Sequence, residues 1–175
     1  MIQLVSVTQS SVLNYGFKAI YEEAFPLDER RDWTQMIELL NHEAFCFMGI
    51  YLHEEIIGFI SFWNLTEFTF IEHFAIKKIE RGKGFGSQIF HQVLNHVRMP
   101  VVLEVEEPLS SDAKKRIEFY ERMKFSVFEG SYYQPPYSIE KKSVKMLLMS
   151  YPNRISKADF VTIKSSIYAS VYHVS

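Results

Sequence analysis

Three apolar runs follow one another between residues 44 and 77, and their spacing restricts the folds that this chain can adopt. The runs are Ala44–Leu52, Ile56–Leu65 and Phe68–Lys77, and only short connections separate them. A parallel pair of strands needs a crossover of a dozen or more residues, roughly a helix long, whereas antiparallel strands need only a tight turn. The sequence therefore predicts an antiparallel meander at the centre of the chain.

The segments on either side of this meander alternate between helical and strand-like patterns. Apolar residues at helical spacing indicate the helices, and prolines such as Pro26 and Pro100 end two of them. This order predicts an α/β (α+β) fold with a mixed, mostly antiparallel sheet rather than a doubly wound parallel one. The other predicted elements are a strand over Ile2–Thr8, a helix capped by Ser10 and Ser11 that runs to Ala24, a helix over Trp33–Asn41, a helix from Phe85 to Val97, a strand over Val101–Glu106, a helix over Ser110–Met123, strands over Phe125–Ser131 and Val144–Met149, and a helix over Ser156–Val174.

The composition excludes several classes of protein. Of the 175 residues, 47% are hydrophobic, which is enough for the core of one domain and excludes a disordered chain. Twenty-one acidic and nineteen basic residues give a net charge of −2, which argues against bulk nucleic-acid binding. The longest apolar run, around Ile56–Trp63, is far shorter than the ~20 residues that span a bilayer, and Met1–Gln9 has no signal-peptide pattern. Because Cys46 is the only cysteine, an internal disulfide is excluded. We expect a cytoplasmic protein with no nucleic-acid or membrane partner.

A glycine-rich segment lies between the last strand of the meander and the next helix. Gly82, Gly84 and Gly86 alternate there with Arg81, Lys83 and other residues. Glycines allow a ligand to approach the backbone closely, and a helix N-terminus adds unpaired N–H donors and the positive end of a dipole. This combination predicts a site for a phosphate or a pyrophosphate. The alternative is a strand-to-helix turn whose glycines only permit tight packing.

Two common nucleotide motifs do not fit this segment. A Walker A loop requires Gly-Lys-Ser/Thr after a four-residue spacer, and that pattern is missing here. In the dinucleotide fingerprint two residues separate the second glycine from the third, whereas only Phe85 separates Gly84 from Gly86. A nucleoside triphosphate or a nicotinamide dinucleotide is therefore not the expected ligand.

Two motifs in this region resemble those of a known family. The run Arg81-Gly-Lys-Gly-Phe-Gly86, after Phe74-Ala-Ile76, closely resembles the acetyl-CoA motif Arg/Gln-x-x-Gly-x-Gly/Ala of the GNAT superfamily of N-acetyltransferases. Leu103-Glu-Val105, followed by Phe119-Tyr-Glu-Arg-Met-Lys-Phe125, is similar to a second family element that ends in Phe-Tyr-Glu-Lys-Leu-Gly-Phe. Two departures from the family pattern are Lys124, where a glycine is usual, and Ala113, near a position that often holds asparagine.

The resemblance implies a fold, a division of the chain and a cosubstrate. The fold would be a GNAT-type mixed sheet with helices on both faces, formed by residues 1–151, and residues 152–175 would add a C-terminal helix. The cosubstrate would be acetyl-CoA, with its pantetheine bound by the backbone of the last meander strand and its pyrophosphate bound by the glycine-rich segment. The residues that the resemblance assigns to acetyl-CoA are Phe74, Ala75, Ile76, Arg81, Gly82, Lys83, Gly84, Phe85, Gly86 and Ser87.

The resemblance also implies a direct attack of an amine on the thioester. Such a site needs a proton acceptor for the ammonium and a proton donor for the leaving thiolate. A tyrosine with a pKa of about 10 stays protonated at neutral pH and can donate as charge develops, and Tyr120 matches the family's general acid. Glu72 is the first candidate for the base, Glu104 is the second, and a chain of water molecules is the third. His73 could also serve, and the spacing of the histidines suggests no metal site.

Two segments are expected to border the acceptor. They are Pro26–Trp33 and Tyr132–Tyr137, and the second could form an aromatic wall. Arg30 and Arg31 could instead bind a carboxylate of the acceptor, or belong to an ordinary charged loop. The acceptor would be a primary amine of a small molecule or of a protein N-terminus. The alternative function is a non-catalytic CoA-binding module of the same fold.

The C-terminal helix carries an apolar stripe that must be covered. Its members are Phe160, Ile163, Ile167 and Val171, and Ser156 with Asp159 forms a capping pair in front of them. The stripe could pack across the chain's own sheet, or it could pack on a second subunit, which would make the protein a homodimer.

Overall fold

The computed structural model describes residues 1–7, 15–98, 100–152 and 156–174. Within these ranges the chain forms one eight-stranded sheet and five α-helices. The strands are β1 (Ile2–Ser6), β2 (Phe45–Leu52), β3 (Glu55–Asn64), β4 (Thr69–Ile76), β5 (Val101–Glu106), β6 (Ser126–Val127), β7 (Tyr132–Gln134) and β8 (Val144–Tyr151), and the α-helices are α1 (Tyr15–Ala24), α2 (Trp33–Leu39), α3 (Phe85–Leu94), α4 (Ser111–Arg122) and α5 (Lys157–Ile167). Short 3-10 helices cover Leu27–Glu29 and Lys78–Glu80, and a π-helical turn covers Tyr168–Tyr172.

The order of strands in the sheet confirms the mixed, mostly antiparallel architecture. It runs β1-β2-β3-β4-β5-β8-β6, and β7 pairs with β8 beside β6. Among the described strands, β4 and β5 form the only parallel pair. The predicted meander is β2-β3-β4. Its first turn places His53 and Glu54 in the left-handed region, as a two-residue hairpin turn requires, although neither is a glycine.

Three predicted segments are wrong in detail. The strand expected over Phe125–Ser131 is only the two-residue β6, and β7 lies in the segment that was expected to be an aromatic loop. Pairing with β8 explains the difference, since β8 offers one free edge that β6 and β7 occupy in turn. The helix expected to reach Val174 leaves the α-helical form at Ile167. The predicted caps Ser10 and Ser11 lie outside the described residues.

Helices cover both faces of the sheet, as expected. On one face, α1, α2 and α5 bury residues such as Phe17, Met36 and Ile167, and on the other face α3 and α4 bury residues such as Phe90 and Tyr120. The apolar stripe of α5 thus packs within its own chain. Because this stripe is covered, it gives no reason to expect a homodimer.

The parallel pair at the centre of the sheet comes apart after three residues. Thr69–Ile71 of β4 pair with Val101–Leu103 of β5, and beyond this point both strands continue without pairing to each other. The separation opens a cleft between the C-terminal halves of the two strands.

No helix in the described ranges has the length and apolarity needed to cross a bilayer.

Candidate active site

The cleft between β4 and β5 is a small cavity of about 40 Å³ that both charged and apolar side chains line. Such a volume holds on the order of three water molecules, so only a slender group reaches its inner end. β4 and β5 contribute Glu72 and Glu104, α4 contributes Tyr120, and the 3-10 helix after α1 contributes Glu29. The structure thus brings together the three catalytic candidates of the sequence analysis, which lie far apart in the chain.

A β-bulge in β4 decides which way its side chains point. Ser61 of β3 pairs with His73 and Phe62 pairs with Ile71, so that Glu72 has no partner across the ladder. An extra residue of this kind breaks the alternation of faces. Glu72 and His73 therefore both contact side chains of the α1 face, whereas Phe74 packs against Phe90 and Phe119 on the other face.

Glu72 is enclosed by hydrogen-bond donors. Its carboxylate accepts bonds from Trp63 Nε1 (2.8 Å), Tyr137 Oη (2.9 Å) and Arg31 Nε (3.0 Å), and its side chain is 1% exposed. Burial alone would raise the pKa of this carboxyl, but the Arg31 guanidinium and the other partners hold the pKa below its usual value. Glu72 is therefore ionised, and Arg31, which also donates to the Val171 carbonyl (2.7 Å), is occupied.

His73 is buried next to Glu72. Its Nε2 lies 3.2 Å from the carbonyl oxygen of Glu29, which can only accept, so Nε2 carries the proton. Burial lowers the pKa of the imidazole, although the Glu72 charge opposes this effect. The ring is therefore neutral at pH 7, and its edge packs on Tyr21 and Phe25. Within the described residues, no three His, Cys, Asp or Glu side chains group so that they could hold a metal ion.

Glu104 has the opposite electrostatic character to Glu72. It lies on β5 just beyond the last residue that pairs with β4, and its Oε1 accepts from Tyr172 Oη (2.6 Å) and Tyr132 Oη (3.0 Å). Within the described part of the chain, Oε2 accepts no hydrogen bond. Burial raises the pKa of Glu104 to about 8, and the two tyrosine hydroxyls only partly offset this rise. A carboxyl with such a pKa exchanges protons near neutral pH.

Tyr120 is held in place by the end of α4. The N–H of Phe125 bonds to the Tyr120 carbonyl (3.0 Å) and the N–H of Lys124 bonds to the Glu121 carbonyl (2.9 Å), which together form a Schellman motif. The Tyr120 ring packs on Phe90 and Phe125. Burial raises the pKa of its hydroxyl to about 12, so that the group stays protonated.

The glycine-rich segment connects α3 to the end of β4, whose C-terminal half borders the cleft. Gly84 caps α3 with a φ of 83°, in the left-handed region that favours glycine, and no side chain caps the amides of the first turn. Arg81 Nε donates to the Ile76 carbonyl (2.8 Å), which ties the segment to the end of β4, and Lys83 pairs with Glu80 (3.0 Å). The residues from Arg81 to Gly84 are exposed. The segment can therefore receive a ligand from solvent.

Comparison with known proteins identifies the family. The model of the acetyltransferase (GNAT) family matches residues 13–125. The chain belongs to the GNAT family of acetyltransferases. A solved structure from Bacteroides thetaiotaomicron, described as a GNAT-family acetyltransferase, is similar at 32% identity with a TM-score of 0.90, and 99% of each chain is covered. No curated protein matches the chain.

More distant N-acetyltransferase structures share the fold. The ribosomal-protein-S18-alanine N-acetyltransferase of Escherichia coli aligns with a TM-score of 0.62 at 14% identity, over 89% of this chain and 96% of that one. A mutant form of the spermidine N-acetyltransferase SpeG of Vibrio cholerae aligns with a TM-score of 0.60 at 12% identity, over 85% of this chain and 93% of that one.

In this GNAT protein, three residues at or near the cleft were not predicted from the sequence as site residues: Glu29, Glu106 and Tyr172. Burial raises the pKa of Glu29 to about 7, and the charge of nearby Glu106 adds to this effect. Glu106 itself forms an ion pair with Arg116. Glu29 lies in a segment expected to border the acceptor, and Glu106 ends a predicted strand, so their positions gave a weak signal. Tyr172 lies far along the chain, and no local pattern connects it to the cleft.

Proposed function

We propose that this GNAT protein is an acetyl-CoA-dependent N-acetyltransferase that acts on a primary amine by direct attack. The observation that carries the proposal is that Glu104 and Tyr120 line the same cleft. One is suited to accept a proton and the other to donate one. With a pKa of about 8, Glu104 is partly ionised near neutral pH, and this form can accept a proton, whereas Tyr120 stays protonated and holds a proton to donate. Both lie where β4 and β5 diverge, next to the family's acetyl-CoA motif.

Binding of acetyl-CoA is supported by two unpaired backbone regions. The edge of β4 from Glu72 to Ile76 faces the cleft without a partner strand in the described residues, so its amides and carbonyls can pair with an extended pantetheine arm. The amides from Gly82 to Ser87 lie at the N-terminus of α3, where the helix dipole favours a pyrophosphate. Phe74, Ala75 and Ile76 are thus proposed to bind the arm, and Arg81 is proposed to fix the loop through Ile76.

The proton balance of the transfer requires both cleft residues. The acceptor enters as an ammonium, and the Glu104 carboxylate takes one proton so that the nitrogen has a free lone pair. The nitrogen bonds to the thioester carbon, the carbon–sulfur bond breaks, and the Tyr120 hydroxyl gives its proton to the departing sulfur. Tyr120 regains a proton from the new amide nitrogen, directly or through water, and Glu104 releases its proton to solvent.

Of the two predicted bases, we favour Glu104 over Glu72. Glu72 already accepts three hydrogen bonds and pairs with Arg31, and its low pKa makes it a weak proton acceptor. Glu104 has one carboxylate oxygen without a described hydrogen bond and a pKa closer to that of an amine. We assign Glu72 the role of a fixed negative charge that orients Arg31.

The acceptor is proposed to be a slender cation. The inner cavity of about 40 Å³ leaves room for an unbranched aminomethyl group but not for a bulky one. Carboxyls surround it at Glu29, Glu104 and Glu106, against one guanidinium of Arg116. Arg31 is buried and paired, so it does not support the alternative of an acceptor carboxylate bound at that residue. A small primary amine or a protein N-terminus fits this description.

Calorimetric titration with acetyl-CoA tests the first half of the proposal, with ATP and NAD as controls. We expect micromolar binding of acetyl-CoA alone. A panel of primary amines, followed by detection of the released thiol, tests the second half. Binding without transfer to any amine would favour the alternative, a non-catalytic CoA-binding module. No binding of acetyl-CoA would overturn the proposal.

Substitution of Tyr120 by Phe tests the general acid. We expect kcat to fall about 10²-fold or more with little change in acetyl-CoA affinity, because only the proton donor is lost. Tyr151→Phe is the matched control, since Tyr151 also contacts Phe125 but does not line the cleft. Unchanged turnover of the Tyr120→Phe variant would contradict the assignment.

A further inference from the structure

The C-terminal segment reaches the candidate active site. Helix α5 packs through Phe160, Ile163 and Ile167 into the core on the α1 face, and the chain then widens into the π-helical turn Tyr168–Tyr172. Turns of this kind are rare and are frequently found at functional sites. The turn ends at His173, whose left-handed φ of 55° stops the helix immediately after Tyr172.

Tyr172 lies between the two carboxylates of the cleft. Its hydroxyl donates to Glu104 Oε1 at 2.6 Å and lies 3.3 Å from the hydroxyl of Tyr137, which in turn donates to Glu72 at 2.9 Å. The ring of Tyr172 is buried against that of Tyr137, with centroids 5.1 Å apart. One residue of the C-terminal turn thus connects the groups that β4 and β5 contribute to the site.

Two further contacts fix the turn in this position. Arg31 donates from Nη2 to the carbonyl of Val171 at 2.7 Å, and the same guanidinium is anchored by Glu72. The hydroxyl of Tyr168 donates to the carbonyl of Tyr133 on β7. Because the turn is tethered on both sides, the Tyr172 hydroxyl is held in place before any substrate binds.

A hydroxyl is suited to this position in both protonation states of Glu104. It donates to the carboxylate when Glu104 is ionised, and it accepts from the carboxylic acid when Glu104 is protonated. A second hydroxyl, from Tyr132, binds the same Oε1 atom. Two contacts on one oxygen fix the rotation of the carboxyl group and leave Oε2 available.

We propose that Tyr172 is a positioning residue for Glu104, by which the C-terminal turn orients the carboxyl so that Oε2 receives the proton of the acceptor amine. This inference rests on the proposed function, in which Glu104 is the base. The segment after residue 156 would then contribute a positioning residue to the acceptor site.

The expected effect of Tyr172 on the titration of Glu104 has a definite sign. The groups that act on Glu104 are the hydroxyls of Tyr132 and Tyr172, which favour its ionised form, and the carboxylates of Glu72 and Glu29, which oppose it. Loss of the Tyr172 hydroxyl removes one favourable bond to the ionised form. The pKa of Glu104 should therefore rise further above its value of about 8.

The test compares Tyr172→Phe with Tyr151→Phe. Both remove a tyrosine hydroxyl, but Tyr151 packs on Phe125 and does not line the cleft. The ¹³C carboxyl resonance of Glu104 is titrated in the protein without substrates, and the pH profile of kcat/KM is measured with acetyl-CoA and an accepted amine. For Tyr172→Phe we expect both midpoints to rise by about one pH unit, with an unchanged KM for acetyl-CoA. Tyr151→Phe should leave both midpoints unchanged.

A second variant keeps the test decisive if Tyr172→Phe does not fold. Incorporation of 3-fluorotyrosine at position 172 retains the ring and makes the hydroxyl a stronger donor, so the midpoint of Glu104 should fall. An unchanged midpoint in both variants would overturn the proposal. If the NMR midpoint of Glu104 shifts but the pH profile of kcat/KM does not, Tyr172 contacts Glu104 without positioning it for catalysis, and the proposed role is wrong. Absence of transfer by the unmodified protein would instead overturn the proposed function, and the NMR titration would still report on the contact.

Discussion

At the level of single residues, the backbone of Lys124 is strained where the family usually has a glycine. Lys124 follows the C-cap of α4 with a φ of 70°, in the left-handed region that disfavours side chains. The Schellman motif requires this conformation because its two hydrogen bonds close only there. The departure from the family motif therefore changes the stability of the helix end and leaves the position of Tyr120 intact.

Replacing Lys124 by glycine should stabilise the protein. We expect the free energy of unfolding to rise by about 1 kcal/mol in urea denaturation, since glycine adopts the left-handed region without a steric cost. Lys115→Gly is the matched control, because Lys115 is exposed within α4, where glycine lowers helix stability by about 0.5–1 kcal/mol. If both substitutions destabilise the protein, the strain at Lys124 is not relieved as proposed.

Glu72 and Glu104 show how neighbours decide the chemistry of one residue type. Both are strand glutamates at the same cleft, but Glu72 has the Arg31 guanidinium beside it and Glu104 has only neutral hydroxyls. A guanidinium compensates the burial of a carboxylate far better than a hydroxyl does. The pKa of Glu72 is consequently below its usual value, and that of Glu104 is far above it.

At the level of elements, the C-terminal helix is attached to the sheet through a large apolar contact. Phe160 packs on Phe128 and occupies the space beside Gly130, where an added Cβ would lie 2.6 Å from the Phe160 ring. The capping box of Ser156 and Asp159, predicted from the sequence, starts the helix at this point. The helix is thus fixed at its first turn by Phe160 and at its end by the tethered tyrosines.

Truncation of Phe160 should test this attachment. We expect Phe160→Ala to lower the free energy of unfolding by about 3 kcal/mol, the usual cost of removing a buried aromatic ring. Val161→Ala, one residue further along the same helix and 63% exposed, should change it by less than about 0.5 kcal/mol. Thermal and urea denaturation of both variants provide the measurement. Equal effects would contradict the packing of α5 on the sheet.

At the level of the whole molecule, the buried groups predict how stability depends on pH. Glu104 has a folded pKa raised to about 8, so the folded state keeps a proton that the unfolded chain loses near its ordinary value of 4.5. Its contribution to stability is complete below that value and is lost as the pH rises to about 8, by at most ~1.4 kcal/mol per unit. The raised pKa of Glu29 acts in the same direction up to about 7.

His73 acts in the opposite direction over a lower range of pH. Its folded pKa is depressed, so the unfolded chain takes up a proton below 6.5 and stability rises with pH up to that value. Above 6.5 this contribution no longer changes. The free energy of unfolding should therefore fall between pH 6.5 and 8.

Urea denaturation at several pH values provides the measurement. The decline should be reduced in Glu104→Gln and kept in Glu107→Gln, since Glu107 pairs with Lys145 outside the cleft. A Glu104→Gln curve that is parallel to that of the unmodified protein would contradict the raised pKa.

Local patterns in the sequence determined the order of elements and the region of the site. Apolar runs indicated the meander and the bounds of β5, and the alternating glycines indicated the glycine-rich segment, because each of these depends on residues that are close together in the chain. The motif around Tyr120 likewise lies within one helix and its cap. These features predicted the GNAT fold and three of the side chains that line the cleft.

The tertiary structure alone decided what those side chains do. The bulge that turns Glu72 toward Arg31 arises from pairing with β3, and the hydroxyl that binds Glu104 comes from Tyr172, 68 residues away. The protonation of a buried carboxyl depends on the groups within a few ångströms of it, whatever their separation along the chain. Sequence patterns therefore located the two glutamates. Only the tertiary packing, which places Arg31 beside Glu72 and neutral hydroxyls beside Glu104, distinguished the fixed charge from the group that can exchange a proton.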